Sequence, residues 1–429
     1  MKAFYYFIVL SISMLTACGG GGSGAGGNGS NNSPSFSATS SSTSSIQSSS
    51  LQSQSSQASI TPLNAPQNPV AIAADASVNL SWNSVSGATA YNIYYATEPN
   101  IMFKNISTFQ NGASVKNVTS PYIISGLQNN KTYYFVVTAV KNTDESAASA
   151  EVNATPTAES GARQPTPQET LVVELINRAR FDPTAEATRY GIGLNDGITE
   201  TVISTDKKQP LAHNLFLIDS ARKHSQWMLD TDIFSHTGIA GSTPTERMMA
   251  AGYIFSGSWS SGENIAWSGT TGSSINLTQY ALQHHEGLFK SPGHRLNILN
   301  GNFREIGVGQ KQGDFTYNNQ IYLSSMLTEN FARSGVNFYL TGVVYDDKNS
   351  NKFYDVGEGL DRVTISINGK SYPVYASGAY AIPLANGIYD LVIDGASLGS
   401  TLNYRIQIMD ANLKLDVLKT GSSASVVTW

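Results

Sequence analysis

The sequence has one cysteine, few charged residues and no long apolar run. A single cysteine, Cys18, excludes intrachain disulfides, thiolate zinc clusters and redox pairs in the 429-residue chain. The longest apolar segment, from Phe4 to Ala17, is shorter than the roughly 20 residues that a membrane-spanning helix needs. With 26 basic residues against 31 acidic ones, the net charge of -5 argues against nucleic-acid binding.

The N-terminal segment has the pattern of a secretory signal that ends in a lipid attachment site. Lys2 precedes the apolar segment, and Leu15-Thr16-Ala17-Cys18 resembles a bacterial lipobox. The resemblance implies cleavage before Cys18 and acylation of that residue, so we expect residues 1–17 to be a signal peptide and the membrane to be a partner. Several acyl chains anchor a protein more firmly than one chain does. An ordinary signal peptide with an incidental cysteine is the alternative.

Residues 18–60 are dominated by Gly, Ser, Asn and Gln, with almost nothing to bury. This composition predicts a disordered tether that holds the folded part away from the membrane. Gly19 is not the aspartate associated with inner-membrane retention. We therefore expect a lipid-anchored protein of the cell envelope, at the outer membrane or the cell surface.

The rest of the chain predicts a multidomain protein, because one core of this size would be unusual. Residues 61–156 contain short apolar alternations separated by turn residues, which predict an all-β sandwich. This segment resembles a fibronectin type III domain, with Trp82 at the position of its strand-B tryptophan and Leu127 with Tyr133 at its tyrosine corner. It contains no histidine, so we interpret it as a spacer. Residues 157–167 are assigned as a linker.

All six histidines fall in the next segment, residues 168–335, which mixes helical and strand patterns. Apolar stripes predict helices that begin near Leu171, Leu217 and Leu277, and alternating segments near Glu305 and Ile321 predict strands. The second stripe places His224 on an apolar face, where a hydrogen-bonded core histidine is the favoured interpretation.

Four strings in this segment resemble the CAP superfamily of cysteine-rich secretory, antigen 5 and pathogenesis-related proteins, in its disulfide-free bacterial branch. They are Phe234-Ser235-His236-Thr237, Gly262-Glu263-Asn264-Ile265-Ala266, the run from Ser291 to Leu299, and Thr328-Glu329-Asn330-Phe331-Ala332. The resemblance implies an α-β-α sandwich with an open cleft lined by two histidines and two glutamates. His236, Glu263 and His294 match three of these positions. For the second glutamate we nominate Glu286, with His285 as a rival.

Such a cleft supports more than one chemistry. Two neutral imidazoles and a carboxylate can hold a divalent metal, and zinc is preferred over magnesium. The same groups without metal can act as a general acid and base near neutral pH. Ser235 and Ser291 adjoin the histidines, but the sequence assigns no third residue to orient a nucleophile. A polar network that only holds loops together is the structural alternative.

The C-terminal segment, residues 336–429, carries a pattern of calcium ligands. From Asp347 to Glu358, oxygen side chains stand at positions 1, 3, 5, 9 and 12 of a twelve-residue loop. Alternating strand patterns flank the loop, and Lys352 replaces the glycine of a helix-loop-helix calcium site. The segment resembles the calcium-binding B-type repeats of bacterial surface adhesins, which implies a β-sandwich. The expected calcium ligands are Asp347, Asn349, Asn351, Phe353, Asp355 and Glu358.

Two functional classes follow from these patterns. In one, a cell-surface lipoprotein displays a CAP domain whose cleft binds a metal or a small or lipid-like ligand. In the other, the cleft is a metal-dependent hydrolase that acts on a peptide, lipid or glycan. Adhesion through the flanking β domains alone is a third alternative.

Overall fold

A computed structural model describes residues 63–74, 77–157, 163–199 and 201–429 of the chain. The predicted signal peptide, the predicted lipidation site Cys18 and the predicted tether all lie outside these residues, as does part of the predicted linker. None of the helices that the described residues form combines the length and the apolar character needed to cross a bilayer.

The first domain is a sandwich of two antiparallel sheets, as the sequence predicts. One sheet has the strand order β1-β2-β5, and the other has the order β4-β3-β6-β7 with β8 paired to β6. The strands are β1 (Val70–Ala74), β2 (Ser77–Ser81), β3 (Ala90–Ala96), β4 (Ala113–Val118), β5 (Tyr122–Ser125), β6 (Tyr133–Lys141), β7 (Asp144–Glu145) and β8 (Val152–Ala154), and a 3-10 helix spans Phe103–Thr108.

The aromatic residues singled out in the sequence organise this domain. Trp82 follows β2 directly and is buried in the core, where its ring meets Tyr91 edge-on at 5.3 Å. The hydroxyl of Tyr133 accepts a hydrogen bond from the backbone N–H of Gln128 at 3.0 Å. That bond back to the preceding loop is the geometry of a tyrosine corner.

The second domain places helices on both faces of a four-stranded sheet with the order β10-β12-β11-β9. Its helices are α1 (Pro167–Phe181), α2 (Pro183–Arg189), α3 (Leu215–Thr231), α4 (Pro244–Ala250), α5 (Leu277–Lys290) and α6 (Pro292–Ile298). Its strands are β9 (Ala212–His213), β10 (Ser260–Thr270), β11 (Glu305–Tyr317) and β12 (Gln320–Arg333), and a 3-10 helix spans Ile239–Gly241. The α-β-α prediction is therefore confirmed.

Local chemistry sets the ends of the first helices. Thr166 and Glu169 form a reciprocal capping box around Pro167, which starts α1. Asp182 ends α1, and its side chain accepts from the N–H of Ala185 and so caps α2. The predicted start near Leu171 is thus one turn late, because the capping residues lie outside the apolar stripe.

Two glycines let α3 pack directly on the sheet. A Cβ atom at Gly307 would lie 2.1 Å from the carbonyl carbon of Leu217, and one at Gly309 would lie 2.2 Å from the nitrogen of Arg222. Any larger residue in these two positions would therefore push α3 away from β11. Helices α1 and α5 cover the opposite face of the sheet, where Val172, Ile176 and Leu288 join one buried cluster with Val308.

The third domain consists of two four-stranded sheets, with the orders β16-β13-β19-β20 and β15-β14-β17-β18. The strands are β13 (Phe338–Asp346), β14 (Val363–Ile367), β15 (Lys370–Pro373), β16 (Ala379–Leu384), β17 (Gly387–Gly395), β18 (Leu402–Ile408), β19 (Leu413–Thr420) and β20 (Ser423–Thr428). Residues from both sheets, including Leu340, Ile365, Leu391 and Val417, form one buried cluster. The all-β prediction is confirmed.

Helix α1 packs against the third domain through a buried ionic cluster. Lys414 is fully buried on β19 and lies 2.8 Å from the carboxylate of Glu174 on α1, with Asp416 as its second acidic partner. Leu171 and Leu175 of the same helix pack with Tyr345 in an apolar cluster beside it. The second and third domains are thus joined by apolar contacts and by a buried charge.

Candidate functional site

The cleft is built around a histidine that is held by a buried carboxylate. His236 lies in the loop after α3, and its Nδ1 is 2.9 Å from Oε1 of Glu263 on β10. The Glu263 side chain is 1% exposed, whereas that of His236 is 46% exposed. The carboxylate therefore fixes the orientation of a ring that stays half exposed to solvent.

An arginine completes this part of the site. Arg247 on α4 donates to the second oxygen of Glu263 at 2.6 Å and to the backbone carbonyl of His236 at 3.0 Å. The guanidinium thereby neutralises the carboxylate and also fixes the loop that carries His236. The sequence gives no indication of Arg247, because a single arginine on a two-turn helix forms no pattern.

His224 supports the same carboxylate from inside the domain. It is 1% exposed on α3, its Nε2 is 2.9 Å from the carbonyl of Ser235, and it is 3.9 Å from Glu263. Burial lowers the pKa of His224 to about 4, although the nearby Glu263 opposes the shift. The prediction of a hydrogen-bonded core histidine is confirmed, and His224 is neutral near pH 7.

The second cleft histidine, His294, lies in the first turn of α6. Burial and the neighbouring His236 lower the pKa of His294 to about 4. Its Nδ1 is 2.8 Å from the hydroxyl of Ser291, the N-cap residue, which makes no capping bond to the helix backbone. His236 and His294 are thus close enough to interact electrostatically, and His294 is neutral near pH 7.

A network of amides and a carboxyl group connects the two sides of the cleft. Asn264 Nδ2 donates to the carbonyl of His294 at 3.3 Å and to Oε2 of Glu329 at 2.9 Å, while Asn297 donates to Asn264 Oδ1 at 2.9 Å. Burial raises the pKa of Glu329 to about 8, and the bond from Asn264 opposes the shift. Glu329 is therefore largely protonated near pH 7 and acts as a neutral part of the cleft floor.

The structure places the two candidates for the second glutamate position elsewhere. Glu286 lies on the exposed side of α5, where it pairs with Lys290 at 2.6 Å. His285 is fully buried, and its Nε2 lies 3.0 Å from Oε1 of Glu186. The acid that reaches the cleft floor is Glu329, whose position opposite Asn264 follows from strand pairing.

The cleft offers few free donor atoms to a metal ion. No three His, Cys, Asp or Glu side chains converge as a metal site anywhere in the described ranges. Both oxygens of Glu263 already bind His236 and Arg247, and Nδ1 of His294 binds Ser291. Two Nε2 atoms remain, fewer than the three protein ligands of a catalytic zinc site. The residues therefore do not fit a three-ligand zinc centre.

The predicted calcium loop folds around its oxygen side chains. Asp347 accepts from the backbone N–H of Asn351 at 3.1 Å, and Glu358 accepts from those of Lys348 at 3.0 Å and Asp355 at 3.1 Å. The side-chain amides of Asn349 and Asn351 both donate to Oδ2 of Asp355 at 2.7 Å. These bonds draw the proposed ligands into one small cluster.

The loop is also anchored to the CAP-like domain. Lys352 takes the left-handed conformation with φ of 58°, so lysine makes the sharp turn that glycine makes in helix-loop-helix sites. Tyr354 is 1% exposed and packs with Leu171 and Leu175 of α1, and the guanidinium of Arg178 lies 5.0 Å from the ring of Phe353. The order of the loop is therefore coupled to the position of α1.

Comparison with known protein families supports the two domain resemblances. The model of the CAP, or cysteine-rich secretory protein, family matches residues 173–331, and that of the fibronectin type III domain matches residues 64–155. The chain therefore contains a CAP domain and a fibronectin type III domain.

Individual relatives cover only parts of the chain. The uncharacterized protein YkwD of Bacillus subtilis (strain 168) is 35% identical over 101 residues, which are 24% of this chain and 35% of that protein. An Fn3-like protein from Clostridium thermocellum is 27% identical, with a TM-score of 0.18, over 22% of this chain and 92% of its own. The fn3 domain of human collagen alpha-1(XX) is 21% identical, with a TM-score of 0.19, over 24% of this chain and 92% of its own.

Proposed function

We propose that this protein is a ligand-binding lipoprotein of the cell envelope, in which the CAP cleft binds a small or lipid-like molecule without a resident zinc ion. The observation that carries the proposal is the pair of imidazoles, His236 and His294, in which a neighbouring side chain holds the Nδ1 of each ring and a buried Glu263–Arg247 pair supports His236. Groups that are already oriented by buried partners bind a ligand at little entropic cost.

The chemistry of the cleft defines the ligand. A carboxylate only accepts hydrogen bonds, so the Nδ1 of His236 that bonds to Glu263 carries a proton, and the uncharged form of that tautomer presents Nε2 as an acceptor. The hydroxyl of Ser291 can donate or accept, so the Nε2 of His294 accepts in one tautomer and donates in the other. Exposed apolar side chains stand on the segments that carry the site, with Ile233 47%, Ile239 65% and Met249 50% exposed. A ligand with a hydroxyl head group and an apolar body satisfies both features.

A fluorescence titration with a pyrene-labelled long-chain alcohol tests this proposal. We expect saturable binding that weakens about tenfold in His236→Ala, which loses the Nε2 acceptor, and in His294→Ala, which loses a second ring nitrogen that can form a hydrogen bond. The matching methyl ether, which cannot donate a hydrogen bond, serves as the control ligand and should bind as weakly to the unmodified protein. Equal affinity for the alcohol and the ether would contradict the proposal.

Hydrolysis is the second candidate, and the Ser291–His294 distance of 2.8 Å is the observation that favours it. Within the described residues, however, no carboxylate contacts the other ring nitrogen of His294, so the orienting member of a triad is missing. Turnover of an activated ester that is lost in both Ser291→Ala and His294→Ala would support hydrolysis and replace the binding proposal.

Lipid anchoring at Cys18 and calcium binding belong to the same proposal. Anchoring is supported by the lipobox-like sequence alone. Calcium at the loop from Asp347 to Glu358 is supported by the spacing of its oxygen side chains and by the hydrogen bonds that tie Asp347, Asp355 and Glu358 into one loop, although their carboxylates do not yet converge as a metal site. Asp347 and Glu358 are each 5% exposed, so a bound cation would relieve the repulsion of two nearly buried acids.

Calcium is expected to raise the melting temperature of the third domain. At a free concentration about 100-fold above the dissociation constant, we expect a stabilisation of about 2.7 kcal/mol and a shift of several degrees relative to a chelator. Glu358→Gln should abolish the shift, because it removes the final ligand of the loop. Asp361→Asn is the matched control, since Asp361 pairs with Arg362 outside the loop. An unmodified protein that melts identically in calcium and in chelator would refute the assignment.

A further inference from the structure

The outer edge of β10 is a main-chain surface beside the cleft. The CAP sheet has two edge strands, β9 and β10. Strand β9 contains only Ala212 and His213, both buried, whereas β10 runs for eleven residues from Ser260 to Thr270. Residues 266–270 of β10 are partly exposed. The long edge therefore starts at Glu263 in the cleft and continues away from it.

The register defines which main-chain groups face outward. The N–H of Gln310 on β11 points away from β12 and donates to Glu169 at 3.2 Å. The main-chain groups of the adjacent Gly309 therefore point towards β12, where Gly309 pairs with Thr328. In a central strand the main-chain N–H and C=O groups of successive residues point to alternate neighbouring strands. Those of Thr328 point to β11, so those of Leu327 and Glu329 point to β10. Their partners are the even-numbered residues 266 and 264.

The odd-numbered residues of β10 consequently face away from β12. An independent contact agrees, because Asn297 on α6 reaches the carbonyl of Glu263 from outside the sheet at 3.3 Å. Beyond that point Ile265, Trp267 and Gly269 direct N–H and C=O groups outward, and no hydrogen bond joins these groups to any described residue. Three donors and three acceptors thus lie along one line.

This edge lacks the features by which proteins normally prevent strand addition. Residues 264–271 contain no charged residue and no proline. The pairing with β12 continues without a bulge from Ser260 opposite Arg333 to Thr270 opposite Leu323. Edge strands are usually protected by lysine, proline or bulges, so an unprotected edge of this length is suited to accept another strand.

We propose that the edge of β10 binds an extended, uncharged peptide segment of a partner protein by β-strand addition. An extended peptide presents N–H and C=O groups every second residue, about 6.8 Å apart, which matches the spacing of Ile265, Trp267 and Gly269. The half-buried ring of Trp267 contacts Phe315 and Tyr322 and flanks the edge on one face. An apolar peptide side chain on that face packs against Trp267. This surface is separate from the cleft, and the proposal does not depend on the cleft ligand.

Residue-resolved amide hydrogen exchange on the full chain tests the proposal, with the peptide acetyl-Thr-Val-Thr-Phe-Thr-Val-amide as the probe. We expect exchange at Trp267 and Gly269 to slow at least about tenfold with millimolar peptide, because their amides gain acceptors. Exchange at Ala266 and Ser268 should stay unchanged, because those amides already bond to β12. No change at Trp267 and Gly269, or equal slowing at all four amides, would overturn the proposal.

Two N-methylated versions of the peptide provide a control that leaves the protein unaltered. One carries methyl groups on the first, third and fifth residues, and the other on the second, fourth and sixth. A strand that pairs along one edge uses only one of these sets, so we expect one peptide to bind and the other to lose about fivefold or more in affinity per blocked bond. Equal behaviour of the two peptides would exclude strand addition.

A second copy of the chain could also occupy the edge. In that case Trp267 and Gly269 would become protected without peptide as the protein concentration rises, and sedimentation would show a dimer. That outcome would overturn the proposal of a peptide partner. Exchange at Trp267 and Gly269 that is fast and independent of protein concentration is the result we expect.

Discussion

Replacing Lys414 by methionine is expected to lower the free energy of unfolding by about 3–5 kcal/mol and to release the third domain from α1. The variant leaves Glu174 and Asp416 buried without their shared cation. Methionine fills a similar volume, so the loss comes mainly from uncompensated charge rather than from a cavity. Urea unfolding followed by tryptophan fluorescence measures the change, since Trp429 lies beside Lys414.

The effect of this substitution should grow with pH. Burial raises the pKa of Glu174 to about 7, and the charge of Asp416 adds to the shift while Lys414 opposes it. Removing Lys414 raises that pKa further. A carboxyl group whose pKa is higher in the folded state than in the unfolded state destabilises the protein as pH rises from about 4.5 through the folded value. We therefore expect a smaller loss at pH 5 than at pH 8.

Arg405→Met is the matched control for Lys414→Met. Arg405 forms two hydrogen bonds with Asp390, at 2.6 and 2.8 Å, but both side chains are 70% exposed. Water solvates the remaining carboxylate when Arg405 is removed, so the unfolding midpoint should not change measurably. Equal losses in the two variants, or a loss at Lys414 that is the same at pH 5 and pH 8, would contradict the ionic explanation.

The architecture was predictable because apolar spacing reports the faces of helices and strands. The stripe through Leu217, Ala221 and Met228 predicts α3, which spans Leu215–Thr231. Similarly, the stripe through Leu277 and Leu288 predicts α5, and the serine-proline-glycine run marks its end at Lys290. Such patterns depend only on which residues face the core, so they persist whatever the tertiary contacts.

The cleft was only partly predictable, because its members come from separate elements. His236, Glu263 and His294 stand in strings that resemble a known family, and the structure brings His236 into contact with Glu263. Glu286, however, is two positions from His284 on α5 and therefore points away from the buried face. The helical period of the sequence alone therefore predicts that Glu286 lies on the exposed side of α5.

The remaining cleft residues required strand pairing or long-range packing to be found. Glu329 follows from the register, because it pairs with Asn264, the residue next to Glu263. A single acid in a strand with no other acidic residue was the available indication. The Glu174–Lys414 pair joins two domains, and no local pattern identifies which lysine a buried glutamate will meet. Contacts of this kind depend on how the domains pack, which periodicity does not report.

Replacing Glu263 by glutamine is expected to destabilise the CAP domain by about 3 kcal/mol and to release His236. Glutamine keeps the shape of the side chain but removes its charge. The Arg247 guanidinium, whose side chain is 9% exposed, then lacks its anionic partner. The single amide oxygen of glutamine cannot accept from both Arg247 and His236, so the ring of His236 loses the acceptor that fixes its orientation when Arg247 keeps that oxygen. Urea unfolding gives the stability change, and the ring NMR signals of His236 report the release.

Glu286→Gln separates this effect from the general consequence of removing a glutamate in the same domain. Glu286 and Lys290 are 45% and 43% exposed and form a pair within one helix, so we expect a change of no more than about 0.5 kcal/mol. The signals of His236 should stay the same, because the Glu286 pair lies on α5 outside the cleft network. If Glu286→Gln disturbed His236 as strongly as Glu263→Gln, Glu286 would belong to the cleft after all, and the assignment of Glu329 to the cleft floor would lose its basis.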